Sequence, residues 1–136
     1  MKRRTAYSGC LLVWLSVLHS IDVSAAQLVV QCTIDSYRSS YAPRPDSFTI
    51  QVDLDEGTIT TYYGTMPLKQ TRRMLRGVGS VVDGWHGSVA IDRNTGRLEA
   101  ATDKIEGRKY SYVDLRGTCI LPPELRGQRY RSALVP

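Results

Sequence analysis

The sequence predicts an all-β fold: a small antiparallel β-barrel or sandwich of seven or eight short strands, preceded by a cleavable N-terminal signal helix. Three observations carry this expectation. After residue 26 apolar and polar residues alternate along most of the chain, and helical periodicity is nearly absent. Turn-forming residues recur at a spacing of about ten, the rhythm of short strands joined by hairpins. Two cysteines, Cys32 and Cys119, bracket the patterned region.

The first 26 residues read as an export signal. Lys2, Arg3 and Arg4 form a basic start, an apolar stretch runs from Cys10 through Val17 to Ile21, and Ser24-Ala25-Ala26 supplies the small residues that a signal peptidase needs. Cleavage before Gln27 is expected. The apolar stretch is roughly half the length of a membrane-spanning helix, and no later segment is long and apolar enough to span. Cys10 stands at the front of the apolar stretch and not at the cut, which is the wrong place for a lipid-modified cysteine. An uncleaved signal acting as an anchor is the alternative, because Asp22 is unusual so near the cut. The expected organisation is a signal peptide over 1–26, a β domain over 27–123 and a C-terminal tail over 124–136, in a periplasmic or secreted protein.

The full chain of 136 residues carries a formal charge of +5. The signal holds three bases and one acid, so 15 bases face 12 acids after cleavage and the charge falls to +3. Arginines alternate with acids through much of the remainder, which is the pattern of a solvated surface and argues against a nucleic-acid partner. Two local excesses remain, Lys69-Arg72-Arg73-Arg76 and Arg126-Arg129-Arg131. Each is either a loop or tail kept soluble by charge, or an attraction for an acidic envelope component.

About 110 residues suffice for one modest core, since folding at that size buries roughly 60–70% of the unfolded surface. Export permits a disulfide between the two cysteines left after cleavage, Cys32 and Cys119. Closing a loop of 87 residues is worth on the order of 4–5 kcal/mol in the chain-entropy account.

The elements follow in order. Leu28, Val30, Cys32 and Ile34 share one face of a first strand. Phe48, Ile50, Val52 and Leu54 alternate with Ser47, Thr49, Gln51 and Asp53 to give the clearest strand. Asp55-Glu56-Gly57 breaks the run, with Gly57 free to take positive φ and Asp55 able to bond the turn backbone, and Thr58–Tyr63 returns. A second hairpin, Ser88–Asp92 into Arg93-Asn94-Thr95-Gly96 and out along Arg97–Ala100, repeats this frame. At an offset of 39, Val52-Asp53 meets Ile91-Asp92 and Gly57 meets Gly96. Either an old duplication or one turn geometry met twice accounts for the match. Between the hairpins, Leu68–Leu75 fits a strand or a short helix, Arg76-Gly77-Val78-Gly79 resembles a bend, and Asp83-Gly84 signals a turn. Tyr110, Tyr112 and Asp114 alternate with Ser111, Val113 and Leu115 in a last strand that reaches Cys119. Pro122-Pro123 ends the sheet pattern.

No residue set after the signal resembles an active site, and the expected protein is non-enzymatic, without cofactor or metal. His86 is the only histidine left, so a catalytic triad must use it, and neither Ser80 nor Ser88 lies in a Gly-x-Ser-x-Gly frame. Asp53, Asp55 and Glu56 lack the spacing of a calcium loop. Asp83-Gly84-Trp85-His86-Gly87 is the most distinctive pentapeptide. It either presents Trp85 and His86 on an exposed loop as a partner-binding anchor, or places Trp85 in the core and His86 in solvent. Arg72 and Arg73 are the other candidate partner contacts. The tyrosines, Tyr37, Tyr41, Tyr62, Tyr63, Tyr110, Tyr112 and Tyr130, are open to three uses: lining a barrel interior that holds a small ligand, docking a protein, or filling a core.

The layout resembles small uncharacterised secreted and periplasmic β proteins of Gram-negative bacteria in its signal, its early cysteine, the stretch Ile91-Asp92-Arg93-Asn94-Thr95-Gly96-Arg97-Leu98 and the late Gly117-Thr118-Cys119. The Val30-Gln31-Cys32 start with Cys119 is also similar to the frame of the periplasmic inhibitors of C-type lysozyme. That resemblance implies an eight-stranded barrel that inserts a loop into an enzyme cleft. The inhibitors' Ser-Gly-x-x-Tyr signature is absent, and Gly77-Val78-Gly79-Ser80 is the nearest segment to it. The expected function is thus an exported binding protein of unknown partner. The alternatives are a lysozyme-inhibitor-like or envelope adapter protein, and a small-ligand carrier with a Tyr-lined interior.

Overall fold

The structure, a computed structural model, describes residues 27–128. The signal segment 1–26 and residues 129–136, with Arg129, Tyr130 and Arg131, lie outside the described residues. Eight strands make up the domain: β1 (Gln27–Ser39), β2 (Phe48–Asp53), β3 (Thr58–Thr61), β4 (Gly64–Gln70), β5 (Met74–Ser80), β6 (His86–Asp92), β7 (Arg97–Glu106) and β8 (Lys109–Ile120). Each pairs antiparallel with the next, and β8 pairs back onto β1 to close a barrel. Closure decides between barrel and sandwich, and it removes the free edges that an open sheet would expose.

The long first strand makes closure possible. Its first half, residues 27–32, pairs with β2, and its second half, from Gln31 to Ser39, pairs with β8. Cys32 and Cys119 face each other across that seam with Cα atoms 4.0 Å apart and form the disulfide. Two residues further the register shifts between Ile34 and Ser36. This bulge at Asp35 resets the face of the strand, as bulges do. Val30, Cys32 and Ile34 point inward before it; after it Tyr37, opposite the inward Leu115, turns to the inner side.

The interior is filled by aliphatic side chains from every strand, among them Ile50, Ile59, Leu75, Ile91, Leu98 and Leu115, all at most 1% exposed. Small and large residues are matched across it. Arg76-Gly77-Val78-Gly79 is not a bend but the middle of β5, because a Cβ on Gly77 would lie 2.3 Å from Cγ2 of Ile59, which occupies that space. Leu68–Leu75 resolves into the end of β4, a turn over 71–73, and the start of β5. Thr71 Oγ1 accepts from the N–H groups of Arg73 (3.3 Å) and Met74 (3.0 Å) to make that turn.

The two aspartate hairpins share one device. Asp53 Oδ1 accepts from the N–H groups of Asp55 (3.0 Å) and Glu56 (2.8 Å), and Asp92 Oδ1 accepts from those of Asn94 (2.8 Å) and Thr95 (3.2 Å). The carboxylate that bonds the first turn therefore belongs to Asp53 and not to Asp55. Gly57 and Gly96 close the two turns at φ +66° and +75°. Burial alone would raise the Asp92 carboxyl, but the two N–H groups and the Arg73 guanidinium together hold it below its ordinary value. A folded-state pKa below the unfolded one adds stability that is full above about pH 4 and is lost as pH falls through the folded value. Asp92→Ala is expected to cost about 1–2 kcal/mol at neutral pH in urea unfolding, and the difference from wild type should shrink as the acid limb is entered.

The chain does not leave the domain at Pro123. Leu121 and Leu125 are fully buried and plug the barrel end, with Leu125 in a short 3-10 turn, Pro123–Leu125. Arg93 Nε donates to the Leu125 carbonyl (2.9 Å), and the Gly127 N–H donates to that of Arg93 (2.7 Å). The packed domain thus extends into the first residues assigned to the tail.

Candidate functional site

An up-and-down barrel places alternate connections at opposite ends. The links β1–β2, β3–β4, β5–β6 and β7–β8 form one mouth; the two aspartate hairpins, the 71–73 turn and the Leu125 plug form the other end. Three of the four mouth connections carry aromatic rings, and each is held by its own local bonds.

The β1–β2 loop, residues 40–47, is anchored where it leaves β1. Ser39 Oγ accepts from the N–H groups of Tyr41 (3.2 Å) and Ala42 (2.9 Å), the Ser40 N–H donates to the Tyr112 carbonyl (3.1 Å), and Tyr37 Oη donates to the Ala42 carbonyl (3.3 Å). Arg44 donates to the Ile34 carbonyl beside the bulge. Pro43 and Pro45 fix φ and keep this loop extended. In the β3–β4 turn, Thr61 Oγ1 accepts from the Tyr63 N–H (3.2 Å), which leaves Tyr62 89% exposed and Tyr63 half-buried against the core. Their rings meet edge to face at 5.5 Å. In the β5–β6 connection, Val81 N–H donates to the Trp85 carbonyl at 2.7 Å, and Asp83 takes a left-handed conformation at φ +59°. For a residue with a Cβ that conformation costs about 1–2 kcal/mol.

These connections enclose a groove of about 860 Å³ lined by Tyr37, Tyr41, Tyr62, Tyr63 and Trp85, with Phe48 and the two prolines. Trp85 packs on Tyr41 with ring centroids 5.2 Å apart and a 37° tilt. One wall continues down the outer face of β2 and β3 along Thr49, Gln51 and Thr60. The Tyr63 phenol is pushed well above its ordinary value, first by burial and then by the phenols of Tyr37, Tyr41 and Tyr62, with a hydrogen bond to Tyr37 adding to it. Tyr41 is raised by burial and then by Tyr37 and Tyr62. Four phenols thus converge at one mouth, each with a hydroxyl that can donate and accept hydrogen bonds.

Trp85 is neither a core residue nor a fully exposed anchor: it is half-buried as a wall of the groove. His86 is exposed and begins β6 on the outer face of the barrel. Register sets Ser80 opposite His86 and His86 opposite Asp103, but no side-chain hydrogen bond links the three among the described residues, and Asp103 instead accepts from Tyr110 Oη at 3.3 Å. Aliphatic residues fill the barrel interior, with Tyr37 and Tyr63 packed against them at the mouth. Tyr37, Tyr41, Tyr62 and Tyr63 gather at the mouth, and Tyr110 stacks on Tyr112 at 5.8 Å on the outer face.

Arg72 and Arg73 lie at the other end of the barrel, so they and Trp85 do not form one surface. Arg73 pairs with Asp92 at 3.3 Å with 76% of its side chain exposed, an arrangement worth about 0.2–1 kcal/mol. Reversing both charges (Arg72→Glu with Arg73→Glu) is expected to change stability by about 1 kcal/mol or less.

The segment Gly77–Ser80, nearest to the inhibitor signature, lies inside β5 and protrudes into nothing. No helix among the described residues is long and apolar enough to cross a membrane. No protein-family profile, curated protein or solved structure matches the chain.

Proposed function

We propose that the chain is an exported, non-enzymatic binding protein that takes its ligand into the aromatic groove at the barrel mouth. The observation that carries this is the convergence of five aromatic rings, contributed by β1 and three separate connections, on one concave site. Hydrophobic and aromatic walls with a few placed polar groups are the usual make-up of a ligand site. The rings are preorganised: the bonds of Ser39, Arg44 and Thr61 fix the connections that carry them, so little ordering cost falls on binding. A disulfide across the seam and the signal-like start support an exported setting. The small-ligand reading therefore moves from the barrel interior to its mouth.

Native mass spectrometry of the unreduced protein, recovered from the exported fraction of its host, tests this. The expected species begins at Gln27, lacks two hydrogens for the disulfide, and carries a defined added mass that a Tyr41→Ala, Trp85→Ala variant loses. An added mass retained by that variant would place the ligand elsewhere and refute the proposal.

A further inference from the structure

We infer that the ligand class is an uncharged oligosaccharide, its sugar rings stacked on Tyr41 and Trp85 and its hydroxyls bonded along Gln51 and Thr60. This rests on the mouth groove being the binding site. The walls of the groove select against the other common ligand classes. Among the described residues, Arg44 and Asp83 are the only charged ones that line it, of opposite sign, and Arg44 is already committed to the Ile34 carbonyl. An ionic ligand would find no net charge to match it. A fatty chain needs an enclosed apolar bore, but Phe48, Ile50 and Ile59, each at most 3% exposed, fill the barrel beneath the mouth.

A sugar has the complementary surface. The C–H face of a pyranose is weakly positive and apolar, and it seats on the negative face of an aromatic ring. Tyr41 is 51% exposed, and its ring contacts that of Trp85 at a 37° tilt, so a sugar would seat on the ring faces turned away from that contact. Beyond the rings, Gln51 stands opposite Thr60 on the outer face of β2 and β3. The Gln51 carboxamide makes no protein hydrogen bond among the described residues, so both its donor and its acceptor face the groove unengaged. The Thr60 and Thr65 hydroxyls share one bond at 2.9 Å and retain further capacity. Pairs of donors and acceptors without charge are what vicinal hydroxyls require. The groove runs from the mouth down this wall, which suits a chain of rings better than a single one.

The test titrates the oxidised protein by calorimetry and by Trp85 emission with fully N-acetylated chitotetraose, cellotetraose, maltotetraose and laminaritetraose, and separately with decaproline and with the small-molecule ultrafiltrate of a host-envelope extract. At least one tetrasaccharide is expected to saturate the site. Tyr41→Ala should then weaken it by about tenfold and Gln51→Ala by about fivefold, with less than a twofold change between 0.1 and 1 M salt, taking about 10 Å and 3 Å as the screening lengths. Both substituted residues are exposed, so the variants should fold. No response to any tetrasaccharide, or a response that Tyr41→Ala leaves intact, overturns the inference. If decaproline or the extract binds while the sugars do not, and Tyr41→Ala weakens that binding, the mouth remains the binding site and the sugar assignment alone fails; binding that Tyr41→Ala leaves intact refutes both. If nothing binds, both fail.

Discussion

Gly117→Ala is expected to destabilise the barrel by about 3 kcal/mol, the upper end of the usual cost of overpacking. Gly117 sits in β8 opposite Ile34, immediately before the bulge at Asp35. A Cβ placed there would stand 2.1 Å from the Thr33 carbonyl oxygen and 3.1 Å from its carbon. Those are backbone atoms in a paired strand, so no rotamer change relieves the clash, and β1 must move away from β8. Gly107, in the β7–β8 turn, is the control. It has nothing within 4 Å of its Cβ position but has φ +60°, so alanine there bears only the left-handed penalty of about 1–2 kcal/mol. Urea unfolding of the two variants separates the effects. A Gly117→Ala cost no larger than that of Gly107→Ala would mean that the seam is looser than the register implies.

Loss of the Cys32–Cys119 bond should have an effect of similar size or greater. The bond closes 87 residues and ties β1 to β8, the pair that turns a meander into a barrel. Cys32→Ala with Cys119→Ala, or reduction, is expected to lower stability by about 2–5 kcal/mol. At about 4–8 °C per kcal/mol for a domain of this size, the midpoint should fall by at least about 8 °C. Alanine is the informative replacement because both positions are at most 3% exposed, where serine would bury two hydroxyls. Equal midpoints for oxidised and reduced protein would show that packing and pairing hold the seam without the bond.

These two positions also mark how far the sequence could be read. Strict alternation made β1, β2, β6 and β8 legible, and the aspartate–glycine frames made both hairpins legible, because each signal is local. Gly77 reads as a break because glycine in a strand looks like one until the partner that fills its place, Ile59, is known from across the barrel. Sequence alone does not separate Asp53 from Asp55 as the turn's carboxylate, because both lie within reach of the same turn. The bulge left no mark in the sequence, since one unpaired residue in a long alternating run changes nothing visible, yet it brings Tyr37 to the inner side. The groove was hidden for a related reason: its rings come from positions 37, 41, 62, 63 and 85, and only closure brings those connections together. Trp85 was picked out by its setting, while Tyr41 and the Pro43–Pro45 loop carried no pattern to distinguish them from a solvated linker.

The most direct test of the central claim is to follow backbone amide and indole resonances of the oxidised protein by NMR as the small-molecule ultrafiltrate of the host extract is added. Binding at the mouth predicts shifts at the Trp85 indole N–H and at amides of residues 41–51, 60–63 and 82–85, with Arg72, Arg73 and the outer face around His86 unmoved. Shifts centred on the Arg72–Arg73 end or on the outer face of β5–β8, or no shifts at all, would contradict it.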